Sequence, residues 1–281
     1  MTVPGQRVYQ FWNFSRPMRW ELLEQCGVPS IGRSYLLRRF GVSIDEPFRR
    51  MTLFPSEKSQ FEMLSDGLAD AEMIWSDAFL CVANKPPGLK VHPNDGSEDD
   101  SLLHRVTKMR YLEAQQDRMR HIHRLDEATS GLVLFASCDY AQHVLDAFMR
   151  DRMIHRTYHA WVKGTPKKVQ GTIDDPIGRD RNHPTKRRVS LGGQKAVTHY
   201  RVIDQKKGCS LLELNLDTGR THQIRVHLQH LGHPILNDSL YGNVTDPDFP
   251  MSLVAVQLSF PHPWHGQQVD VRIDPPDWFK I

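Results

Sequence analysis

The chain has 281 residues, 39% hydrophobic and 25% charged, with a formal charge of +3. That is an ordinary soluble composition, long enough for one large domain or a large and a small one. It has no apolar run of membrane-spanning length and no signal-peptide pattern, and its four cysteines (Cys26, Cys81, Cys138, Cys209) are too far apart for a zinc site or a disulfide framework, so the expected location is cytoplasmic.

The charges are segregated along the chain. Residues 1–50 hold eight Arg against four acidic residues, 62–100 hold nine acidic residues against two Lys, and 178–201 hold seven Lys or Arg against Asp180 alone. Such segregation suits a protein that lays particular surfaces on a polyanion, although a solvated basic loop gives the same pattern. Trp20–Gln25 and Ser34–Phe40 are predicted as short helices joined by Gly27–Gly32, with Ser30 and Ser34 as candidate N-caps. Arg33, Arg38 and Arg39 would make one basic surface there. Residues 61–72 are acidic and weakly patterned and are expected to be a linker.

Phe79–Ala83 is predicted as a strand, ended by the turn Asn84-Lys85-Pro86-Pro87-Gly88, and Ser101–Arg110 as a helix. The stretch His121–Ala136 reads HIHRLDEATSGLVLFA. It ends in an apolar run short enough for a buried strand, with Asp126 just before it beside Arg124. An ionised Asp so close to a buried strand needs a cation partner. A structural, ion-paired or capping Asp would satisfy that as well as a catalytic one. Asp139–Arg150 has helical apolar spacing, and Met153–Gly164 alternates as a strand with Ile154, Arg156, Tyr158 and Ala160 on one side. Tyr158 then either lines a cleft or sits in the core with its hydroxyl bonded.

Gly178–Ala196 is expected to be an exposed basic loop able to track phosphates. Val197–Asp204 and Cys209–Asp217 form a predicted hairpin around Lys206-Lys207-Gly208. Thr218 or Thr221 is expected to cap a helix that ends by Gly232 and Pro234. On it Ile224, Leu228 and Leu231 share one face, and His222, Arg225 and Gln229 the next. Arg225 beside an apolar face needs an anion, for which Asp126 is the candidate, or it snorkels to solvent. Leu253–Phe260 and Gln268–Ile273 are predicted closing strands. The fifteen histidines include no set with metal-ligand spacing, so no metal is expected.

Four separated strings carry a resemblance. His123-Arg124-Leu125-Asp126-x-x-Thr129-Ser130-Gly131 resembles the catalytic motif of the Rlu family of pseudouridine synthases. Asn84-Lys85-Pro86-x-Gly88, with Val91 and His92, resembles that family's first segment, with Lys90 where an apolar residue is usual. Arg156-x-Tyr158-x-Ala160 resembles its second motif, Arg standing where Lys is usual. Thr218-Gly219-Arg220-Thr221-His222-Gln223-Ile224-Arg225 resembles its third, extended by His233 through Asp238 and by Tyr241-Gly242, with Asn237 in place of the usual Gly.

The resemblance implies an α+β fold, with a mixed, mainly antiparallel sheet flanked by helices and loops in a catalytic domain over residues 73–281. A small α/β module precedes it, and residues 1–60 resemble a degenerate alpha-L RNA-binding module whose usual Val-Asn-Gly turn is missing. The implied activity is that of an isomerase that converts uridines in ribosomal or transfer RNA to pseudouridine. A catalytically inactive RNA-binding or ribosome-assembly factor of the same fold is the alternative. Asp126, Tyr158 and Arg225 are the implied catalytic residues. Arg124, His123, Thr129, Arg156, Arg220, His222 and Gln223 are implied to bind the RNA and flip the base. The implied partner is RNA, without membrane or small-molecule cofactor, and the chain is expected to act as a monomer.

Overall fold

The computed structural model describes residues 29–34, 69–77, 79–93, 100–112, 119–242, 244, 246 and 248–281. The expected helix Trp20–Gln25, and Ser34–Phe40 beyond Ser34, lie outside these residues. Residues 30–34 are helical, so part of the stretch expected as a connection is itself a helical turn. Pro29 O accepts the bond from Arg33 N, which makes Ser30 the first helical residue and not the cap, and Ile31 packs on the main core.

Among the described residues, twelve strands and three α-helices follow, in the order β1 (Glu72–Ser76), β2 (Leu80–Lys85), α1 (Leu102–Leu112), β3 (Arg120–His121), β4 (Ser130–Ala136), α2 (Asp139–Arg150), β5 (His155–Lys163), β6 (Gln170–Ile173), β7 (Ile177–Arg179), β8 (Arg187–Val189), β9 (Thr198–Lys206), β10 (Cys209–Leu216), α3 (Gln223–His230), β11 (Leu253–Pro261) and β12 (Gln268–Arg272). Ten strands form one sheet in the order β1-β2-β4-β11-β5-β10-β9-β6, with β3 on β4 and β12 on β11. The β4–β11 pair is parallel and the other pairings of this sheet are antiparallel. This is the expected mixed α+β architecture.

Strand β4 is buried throughout, because both faces of the sheet are covered. Leu132, Leu134 and Ala136 meet Val144, Leu145 and Phe148 of α2 on one face. Val133 and Phe135 share the other with Val106 of α1 and with Ile224 and Leu228 of α3. Gly131, at φ +110°, stands where β4 meets β11; a Cβ there would lie 2.3 Å from Ala255 O, so only Gly fits. The β9–β10 turn has φ 50° at Lys207 and 75° at Gly208, as a two-residue hairpin of the type whose twist matches its strands requires.

The segment Gly178–Ala196 departs from expectation, since it contains the hairpin β7–β8 instead of a free loop. Ile177 and Val189 bury against Ala196, Val226 and Tyr241, and these few apolar anchors were hidden by the charge pattern between them. Strands β1 and β6 also form where alternation gave no signal. Glu72 opens β1, and Ala71 before it is buried, so the sheet begins inside the expected linker.

Candidate active site

Ala255 of β11 is opposite Gly131 on one side and Tyr158 of β5 on the other. The start of β4 and Tyr158 are therefore about two strand spacings apart, roughly 10 Å. The loop before β4 turns back at Asp126, with Thr129 N–H donating to Asp126 O (3.0 Å). Helix α3 lays Ile224 and Leu228 on the same face of the sheet, which brings Arg225 to the mouth of that loop. Between them lies a cleft of about 310 Å³ in which Asp126 is the only carboxylate, among Arg124, Arg156, Arg220 and Arg225, with Tyr158, Thr129, His222 and Leu253 on its walls.

Arg225 is buried and joins two carboxylates. Its Nε and Nη2 donate to Asp238 Oδ2 (2.8 Å) and Oδ1 (2.7 Å), while Nη1 lies 3.3 Å from Asp126 Oδ2. Asp238 is wholly buried, and its Oδ1 also accepts the N–H groups of Leu240 and Tyr241. Asp126 keeps a side-chain exposure of 20%, so it is reachable from the cleft while its partner is not. Asp126 is thus not the sole partner that the helix-face argument supplied for Arg225. Asp238 makes the fork-to-fork pair and fixes the guanidinium that faces Asp126. Its only sequence signal was its place at the end of the extended third string.

Two further residues build the site without having been singled out. Lys85 is fully buried and donates to the carbonyls of Pro86, Leu89 and Glu127 at 2.7–2.9 Å, clamping the Asn84–Gly88 turn to the turn that carries Asp126. Burial lowers its pKa to about 7, against the opposite pull of Asp126 and Glu127. The Tyr241 hydroxyl accepts Arg187 N–H (2.7 Å) and meets His222 Nδ1 (2.9 Å), and its ring lies 5.1 Å from the Arg225 guanidinium carbon.

The remaining implied residues divide. Arg124 is exposed at the cleft mouth and Arg220 along its rim, where its Nε donates to Lys195 O (3.0 Å). Arg156 is buried on β5 with its Nε unpartnered, and Gly219 leaves room for its guanidinium, since a Cβ there would lie 3.2 Å from Nη1. His222 has φ 59° and precedes α3, with Nε2 4.0 Å from Asp126 Oδ2; burial lowers its pKa, with Asp126 opposing, and favours the neutral ring. Burial, reinforced by Asp126 and opposed by Arg156, raises the pKa of Tyr158, so the phenol stays protonated.

Two of the residues implied to bind the RNA are buried and hydrogen-bonded within the protein. Gln223 is buried with its amide fully used: Oε1 accepts from Thr218 Oγ1 and Arg220 N, and Nε2 donates to Val197 O and Thr198 Oγ1. It anchors the start of α3 to β9. Neither Thr218 nor Thr221 caps the helix by a side chain, because the Thr218 hydroxyl serves Gln223. His123 is also buried, and its Nε2 accepts the N–H of Leu134 (3.2 Å), which fixes the ring against β4.

Burial lowers the pKa of His123 from 6.5 to about 3. Between those values the unfolded chain binds a proton that the folded chain does not, so this ring destabilises the fold as pH falls below its unfolded value. By about pH 5 its share reaches roughly 2 kcal/mol. Thermal melts across that range should show the loss. In His123→Gln, which keeps an acceptor for Leu134 N–H, the dependence should flatten; an equally steep loss would assign it to other groups.

Residues 80–230 match the family described as RNA pseudouridylate synthase. The chain belongs to this family. It is 42% identical over 188 residues to an uncharacterized RNA pseudouridine synthase of Bacillus subtilis, covering 66% of this chain and 62% of that one. It is 38% identical over 226 residues to a protein of Zymomonas mobilis named ribosomal large subunit pseudouridine synthase D, covering 75% and 71%. The solved structure of human RNA pseudouridylate synthase domain containing 4 superposes with a TM-score of 0.61 at 26% identity, covering 74% of this chain and 90% of that one. Human RNA pseudouridylate synthase domain containing 1 shares the fold, with a TM-score of 0.62 at 24% identity.

Proposed function

We propose that this protein isomerises specific uridines of ribosomal or transfer RNA to pseudouridine, with Asp126 as the essential carboxylate. The observation that carries this reading is the single acid in a cleft whose other charged side chains are all arginines, held against Arg225 and open to a substrate. The alternative of an inactive RNA-binding factor predicts a damaged site, whereas the acid, the arginine and the tyrosine stand together.

In this reaction the bond from the ribose to nitrogen 1 breaks, the uracil turns, carbon 5 takes the ribose and gives up its proton, and nitrogen 1 ends with a proton in place of the ribose. No group enters or leaves and no oxidation state changes, so the chemistry itself calls for no cofactor. A uridine stacked in a helix is out of reach of Asp126 and must be flipped into the cleft. Arg124, exposed beside the cleft mouth, would fill the space it vacates. Tyr158, kept protonated, serves first as a stacking and hydrogen-bonding surface for the uracil; taking the proton from carbon 5 would require it to ionise first. Arg156 and Arg220 would hold phosphates.

The protein is proposed to act as a monomer. Cytoplasmic RNA is the proposed target; among the described residues, no helix is long and apolar enough to cross a membrane. Residues 73–281 would be the catalytic unit and the Arg-rich residues 1–60 a module adding affinity.

Mapping pseudouridines in total RNA from cells with and without the protein tests the activity. Specific uridines should lose the modification without it and regain it on re-expression, and an identical map would overturn the reading. In the same assay Arg38→Gln/Arg39→Gln should leave the modified position unchanged and slow its modification. An unaltered rate would remove the N-terminal module.

A further inference from the structure

Beside the uridine cleft lies a second cavity of about 360 Å³, walled by Arg179 and Arg187 of the β7–β8 hairpin, by Gly192 and Gly193 after it, and by Arg220 and Thr221 before α3. We propose that it is a phosphate pocket that grips the RNA backbone next to the flipped uridine. This rests on the isomerase reading for the identity of the RNA, and on the cavity alone for the phosphate.

Three guanidinium groups converge here, and no carboxylate is in the wall. Among the described residues none of the three has an ion-pair partner. Asp180, the one acid of this basic segment, uses Oδ1 to accept the N–H of Asn182. The Arg187 Nε is buried with no hydrogen-bond partner in the protein. A buried donor of a permanently charged group left unpaired is costly unless a ligand completes it. A phosphodiester offers acceptors only and fits the planar fork of Arg.

The cavity is built of held backbone. Ile177 and Gln194 exchange both backbone hydrogen bonds at 2.9 Å, and Ser190 N–H donates to Pro176 O at 2.8 Å. A Cβ on Gly193 would lie 2.5 Å from the carbonyl carbon of Ile177, so the rim can close this tightly only with Gly. Arg187 N–H is tied to Tyr241, whose hydroxyl meets His222, so the hairpin is fixed to the site. Arg220 and Thr221 line both cavities, which makes them one continuous surface. Of the seven cations counted in the basic segment, the fold thus brings Arg179, itself solvent-exposed, and Arg187 to the wall of this cavity, while Arg181 and Arg188 are exposed and lie outside it.

The test uses the full-length protein with unmodified ribosomal and transfer RNA transcribed in vitro. Arg179→Gln/Arg187→Gln should weaken binding roughly tenfold to a hundredfold. It should flatten the plot of log affinity against log salt by about 0.7 to 0.9, the value for one phosphate. KM for the RNA should rise while kcat at saturation is kept. Arg179→Lys/Arg187→Lys should restore the slope and only part of the affinity, which shows that charge and not folding was lost. The exposed pair Arg181→Gln/Arg188→Gln should change the slope by less than half as much. An unchanged slope in the first variant, or an equal change in the exposed pair, overturns the pocket. A flattened slope with a wild type that forms no pseudouridine would keep the pocket and remove the isomerase reading.

Discussion

Asp126→Asn is expected to abolish pseudouridine formation, by roughly 10⁴-fold or more, while leaving RNA affinity nearly unchanged. The substitution keeps the size of the side chain and an oxygen for Arg225 Nη1. It removes the charge that the proposed reaction needs. The fold should barely notice, because Arg225 retains its two short bonds to Asp238 and only the longer 3.3 Å contact is weakened. A stability change of about 1 kcal/mol is the scale for one such bond. The cations on the cleft walls, which are proposed to carry the RNA affinity, are untouched. Quantifying product by mass spectrometry, with binding measured on the same preparation, separates the two effects. Measurable turnover by the Asn protein would remove Asp126 as the essential group.

Arg225→Met should be both inactive and markedly unstable. Met leaves Asp238 wholly buried with two carboxylate oxygens stripped of their cation. Breaking a buried pair from one side costs about 3–5 kcal/mol, a large part of the stability of an ordinary domain. The double variant Arg225→Met/Asp238→Asn separates stability from chemistry. Asn keeps an acceptor for the N–H groups of Leu240 and Tyr241 but buries no charge. Stability should therefore return in large part, while activity should not, since Asp126 still lacks the cation that faces it. Denaturant unfolding and single-turnover assays on the wild type and both variants give the comparison. Recovery of activity together with stability would make Arg225 a purely structural residue. Arg225→Lys should keep some of each, having the charge without the fork.

Local chemistry made several parts of this protein legible without coordinates. The Lys207-Gly208 hairpin, the limits of helix α2, the buried run that became β4 and the alternation placing Arg156 with Tyr158 all follow from neighbours a few residues apart. Asn237, standing where a Gly is usual, has the positive φ (57°) that Asn tolerates. The strings around Asp126 and Arg225 were readable for the same reason: turn, strand and helix periods fix which residues face one way.

Contacts between distant segments were not readable. Helical periodicity put Arg225 beside the apolar face of α3 but could not say that Asp238, returning from the loop beyond, takes its fork and leaves Asp126 the third nitrogen. His123 and Gln223 look like polar surface in a one-dimensional pattern. Only packing shows that one receives the N–H of Leu134 and that the other spends its whole amide on Thr218, Arg220, Val197 and Thr198. The basic segment read as a free loop because charge outnumbers its apolar anchors, yet burial of Ile177 and Val189 against Val226 and Tyr241 is enough to dock it. The sequence by itself determined the chemical groups and their local geometry, because those depend on short-range sterics and hydrogen bonding. Tertiary structure alone decided which of those groups are desolvated and with whom they pair, because burial is set by elements that meet only after the sheet has formed.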